Sequence, residues 1–91
     1  MLTQGVVWFI MDGVVAGRIT RQIARYLVEP YVARGLQCES GSVLAGAETV
    51  HGFAMTRDGS MNIDCDTSLW TLTDEEVARR VDAWKTQQRL G

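Results

Sequence analysis

The apolar positions near the N-terminus form a run that is typical of β-strands. Residues 6–11 are β-branched, aromatic or otherwise apolar, and such side chains favour strands. Asp12 and Gly13 follow, and then a second apolar run at residues 14–16. An Asp-Gly pair between apolar runs is a strong hairpin signal, because both central residues of a tight turn need positive φ. The pattern predicts a β-hairpin that is covered on both faces, since both are apolar.

An alternative interpretation of this region is a helix capped by Asp12. Its apolar side chains would recur four residues apart, at Val15, Ile19, Ile23 and Leu27. Gly13 and Gly17 near its start argue against it, because glycine weakens a helix.

Residues 20–36 have a helical spacing. Apolar side chains recur at every fourth position, at Ile23, Leu27 and Tyr31. Pro30 lacks an amide proton and clashes with the preceding turn of a helix. We therefore expect a helix to about residue 28, then a kink or a second short turn to residue 34, with Gly35 as the stop.

The middle of the chain predicts a loop followed by a second hairpin. Residues 37–47 are small and polar, and residues 43–45 are either a short strand or part of that loop. Residues 49–56 and 60–66 flank a turn that ends at Gly59. A three-residue loop pairs Phe53 with Ile63 and His51 with Cys65, and this register is preferred over a two-residue turn because it places apolar residues beside each other.

The C-terminal segment predicts a helix to about residue 90. Thr73 and Glu76 form a capping box, and Val77, Val81 and Trp84 give a buried stripe. Together these elements predict an α+β fold for a single domain, residues 1–91. Its small antiparallel sheet, two hairpins with about four strands, packs against the central and C-terminal helices.

Composition narrows the classes of function. The 91 residues are 46% hydrophobic and 22% charged, which is typical of a globular domain. A net charge of -2 argues against a general nucleic-acid binder. The apolar run is too short for a membrane span and lacks the basic start of a signal peptide. We expect a cytoplasmic protein with no membrane partner, in which Cys38 and Cys65 are reduced and buried.

Catalytic and metal-binding chemistry find little support in the sequence. A Cys65 thiolate activated by His51 is conceivable, but the pair depends on the inferred register. Asn62, Asp64 and Asp66 alternate along one predicted strand, and alternation is also what a solvent-facing strand requires. No nucleotide-binding glycine motif is present. The sequence therefore predicts neither an enzyme, nor a metal site, nor a cofactor.

The candidate partner-binding residues are four arginines and a tryptophan: Arg18, Arg21, Arg25, Arg34 and Trp8. The first three are spaced three and four apart, so on a continuous helix that begins by about residue 18 they share one face, separate from its apolar positions. If the preceding strand extends that far, Arg18 leaves this set. Arginine and tryptophan are enriched at protein interfaces. Exposed arginines contribute within about 0.5 kcal/mol to stability, so alanine at these positions is expected to leave the fold intact.

The leading hypothesis is a small non-catalytic interaction protein that binds a larger protein assembly, which it inhibits or recruits. Its size and composition are those of phage or mobile-element accessory proteins, an analogy only. Self-association as a homodimer is also open, because a chain of this size has few helices to cover the first hairpin. The alternative is a DNA-binding transcriptional regulator that uses residues 18–34. Residues 20–27 resemble the second helix of a helix-turn-helix, but Val28 stands where a turn glycine is usual. Nucleic acid is the less favoured partner.

Overall fold

The computed structural model describes residues 1–54 and 72–90, and most of these are helical. The helices are α1, Gln4–Val15; α2, Arg21–Ala33; α3, Gly41–His51; and α4, Asp74–Leu90. A 3-10 turn, Gly52–Ala54, follows α3 directly. The described residues contain no β-strand, and only an isolated parallel bridge pairs two of them, Leu2 and Cys38. The predicted α+β fold with a four-stranded sheet is therefore wrong, and the described part of the chain is a bundle of helices.

Helix α1 takes the place of the predicted first hairpin. Val7 and Met11 are fully buried and Ile10 is 3% exposed. A β-branched residue costs a helix less than about 1 kcal/mol, whereas burying a large apolar side chain contributes about 1.5–3 kcal/mol. Packing therefore outweighs the local strand preference. Gly13 makes no turn: a Cβ there would lie 2.4 Å from Ile19 Cδ1, so glycine permits a close contact.

Helix α2 begins at its own cap and not at Asp12, so the alternative interpretation is also wrong. The Thr20 side-chain oxygen accepts a hydrogen bond from the Ile23 N–H at 3.1 Å. The helix continues through Pro30 to Ala33, beyond the predicted end at residue 28. Pro30 lies in the last turn of the helix. Its missing amide proton removes one helical hydrogen bond there, and the helix ends three residues later. The predicted stop is confirmed, since Gly35 has φ +70°.

Helix α3 occupies residues that were predicted to be a loop. Ser40 caps it, and its Oγ accepts from the Val43 N–H at 3.3 Å. The small residues that suggested a loop permit close packing: a Cβ on Gly46 would lie 2.7 Å from two ring atoms of Trp84 and 2.9 Å from Val7. Glycine at this position therefore lets α3 approach both α1 and α4.

The prediction that residues 49–56 form the first strand of a second hairpin is also wrong for residues 49–54. Residues 49–54 are the end of α3 and the 3-10 turn. Residues 55–71 lie outside the described part of the chain. The predicted Gly59 turn, the register with Ile63, the row of Asn62, Asp64 and Asp66, and the cysteine at position 65 all fall there.

The predicted C-terminal helix is confirmed. Thr73 Oγ1 accepts from the Glu76 N–H at 3.1 Å and donates to Glu76 Oε1 at 3.2 Å. Val77, Val81 and Trp84 are 2%, 3% and 4% exposed, as the spacing predicted. Capping and periodicity suffice here because both act within one helix.

Trp84 lies where three helices meet. Its indole N–H donates to the Ser42 carbonyl at 2.8 Å, which joins α4 to the start of α3. Its ring meets Trp8 of α1 edge to face, with the centroids 6.1 Å apart. Among the described residues, α1 and α3 each contact every other helix. The two elements that the sequence did not predict as helices are thus central to the core.

Candidate protein-docking surface

The buried side of α2 consists of two small side chains and an arginine. Ala24 and Val28 are fully buried and Arg21 is 3% exposed. Small side chains allow two helices to approach closely, and α3 is the principal neighbour of α2. Arg21 therefore faces inward beside Ala24 and Val28, and the apolar row that contains Ile23 and Leu27 faces outward.

The outer face of α2 is a row of apolar side chains that ends in an arginine. Ile23, Tyr26 and Leu27 are 53%, 78% and 43% exposed. Pro30 continues the row half-buried, and Arg34 follows it exposed at the C-cap. The apolar positions follow the i, i+3, i+4, i+7 spacing that places side chains on one side of a helix. We call these five residues the outer face of α2.

Arg21 cannot belong to an exposed binding stripe. Its Nη1 donates to the Phe53 carbonyl at 3.2 Å and to the Leu72 carbonyl at 2.7 Å. Its Nη2 donates to Asp74 Oδ1 at 2.8 Å. One guanidinium thus joins the end of the 3-10 turn to the residues before α4. The prediction that Arg21 is exposed is wrong, and these contacts lead us to expect that replacing it destabilises the fold.

Arg25 is largely covered and is held beside α3. Its Nε lies 3.5 Å from Glu29 Oε2, and its side chain is 19% exposed. Its Nη1 donates to the His51 carbonyl at 3.4 Å. The same Glu29 carboxylate lies 3.4 Å from His51 Nε2. These three side chains connect α2 to the end of α3, which accounts for their arrangement without a bound ligand.

Arg18 and Arg34 are the two predicted arginines that are exposed, and they lie at opposite ends of α2. Arg18 precedes the helix and its Thr20 cap, and Arg34 is the C-cap residue. The four arginines therefore form no continuous face. Two are occupied by contacts within the chain, and two are exposed at the helix ends.

Trp8, the remaining predicted binding residue, is half-buried between α1 and α4. In addition to the Trp84 contact, two cations lie over its ring: Lys85 Nζ is 4.9 Å and the Arg89 guanidinium 5.7 Å from the centroid. Lys85 also pairs with Asp12 of α1. The visible contacts of Trp8 hold α4 to α1, and its interface role stays a prediction.

Two other surface features differ from the outer face of α2. Phe9 and Val6 of α1 are 66% and 46% exposed, but they are only a pair. A polar cleft lies beside the starts of α1 and α3. There Gln4 Nε2 and Ser42 Oγ both donate to Gln88 Oε1, at 3.1 and 3.2 Å, so the cleft satisfies its own polar groups.

Among residues 1–54 and 72–90, no three His, Cys, Asp or Glu side chains converge as they would around a metal ion. None of the helices in that same part of the chain has the length and apolar character to cross a membrane. Cys38 is a half-buried free thiol beside the Leu36 carbonyl, so it is less buried than predicted.

No family model, no curated protein and no solved structure matches the chain.

The outer face of α2 was not identified as a binding surface from the sequence, although the signal was present. Ile23 and Leu27 were recognised as an apolar row, but Ala24 and Val28 form a second one on the other side of the helix. A helix with two apolar sides needs two neighbours.

Proposed function

We propose that this chain is a non-catalytic protein-interaction domain and that the outer face of α2 docks onto a larger protein. The observation that carries the proposal is the exposure of Ile23, Tyr26 and Leu27 on a helix whose other side is already in the core. Three adjacent large apolar side chains in water do not stabilise a monomer. Removing them from water in an interface stabilises the complex.

The size of the exposed row supports its role as the centre of an interface. With about 200 Å² for a fully exposed large side chain, Ile23, Tyr26 and Leu27 present roughly 350 Å² of surface at their observed exposures. A stable interface buries about 800 Å² on each partner. The row therefore supplies the apolar core, and the flanking polar residues would supply the rim. Tyrosine at the most exposed position fits, because tyrosine is enriched at binding hot spots.

The DNA-binding alternative loses its main support. It required Arg18, Arg21 and Arg25 on one accessible face, but Arg21 is buried and Arg25 is 19% exposed beside Glu29. In the row between the two remaining arginines, only the Tyr26 hydroxyl could donate to a phosphate, whereas Ile23 and Leu27 offer no hydrogen bond. These side chains are better suited to a protein partner than to DNA.

Site-specific photo-crosslinking tests the proposal. A benzophenone amino acid replaces Tyr26, and the full chain is expressed in cells of the organism that encodes it. The matched control carries the same crosslinker at Glu48, an exposed position of α3. We expect an ultraviolet-dependent adduct of defined mass from position 26 and none from position 48.

A second substitution tests whether the adduct depends on the outer face of α2. Adding Leu27→Glu to the chain with the crosslinker at position 26 should suppress the adduct, since a charge would lie inside the interface. Equal adducts from both positions, or an adduct that survives Leu27→Glu, would show that the outer face of α2 is not the docking surface. Absence of any adduct from position 26 would contradict the proposal equally.

A further inference from the structure

We draw no further inference here: the strongest candidate, the apolar groove lined by Val14, Val15 and Ile19 between the end of α1 and the first turns of α2 and α4, carries nothing, because the charged residues Arg21 and Asp74 beside it are paired with each other and nothing in the described part of the structure shows what covers it.

Discussion

The Arg21 guanidinium makes a stability contribution that exposed arginines do not, and Arg21→Ala measures it. The change removes the donor of two main-chain carbonyls, those of Phe53 and Leu72, at 3.2 and 2.7 Å. A buried polar group left without its partner costs about 1–3 kcal/mol. The pair with Asp74 adds little, because the carboxylate is 94% exposed and water screens it. With two carbonyls unpaired and the packing of the side-chain stem lost, we expect a loss of about 3–4 kcal/mol in the free energy of unfolding.

Urea unfolding followed by circular dichroism at 222 nm gives this quantity directly. Asp74→Asn is the matched control, since it removes the charge partner and leaves both carbonyl bonds; it should cost less than about 1 kcal/mol. Arg21→Lys should fall between the two variants, because an ammonium lacks the planar fork that reaches several acceptors. If Arg21→Ala unfolds within about 0.5 kcal/mol of wild type, as a variant of an exposed arginine would, the contacts of Arg21 with the two carbonyls do not stabilise the protein.

Three further predictions concern the core and its caps. Gly46→Ala should destabilise by about 1–3 kcal/mol, because its Cβ would lie 2.7 Å from Trp84; Gly5→Ala, in the open part of α1 with nothing within 4 Å, should instead stabilise by up to about 1 kcal/mol. Thermal melts of the two variants should shift in opposite directions, and equal shifts would contradict the packing. Trp84→Ala should cost about 3–5 kcal/mol, measured by urea unfolding; an unchanged midpoint would show that Trp84 is not core. Thr73→Ala should cost about 1 kcal/mol through the cap alone, and no loss would mean that the capping bond is not formed in solution.

The sequence by itself determined the parts of this protein that depend on neighbours along the chain. The start of α4 follows from Thr73 and Glu76, and its buried row follows from the spacing of Val77, Val81 and Trp84. The end of α2 follows from Gly35, whose φ of +70° suits a residue without a Cβ. Each of these features is local, so no knowledge of the rest of the chain was needed.

The tertiary structure alone decided where the glycines and the faces of α2 belong. Gly13 and Gly46 resemble turn and loop residues in the sequence, yet each lies inside a helix where another side chain approaches too closely for a Cβ. Close approach depends on residues distant in sequence, so local preference could not reveal it.

The tertiary structure also decided which residues form the candidate site. Ala24 and Val28 are fully buried, and Arg21 donates to acceptors of residues 53, 72 and 74. The apolar row of Ile23 and Leu27 is therefore left outside. Which of two apolar sides a helix buries depends on the shape of its neighbour, and that shape exists only in the folded chain.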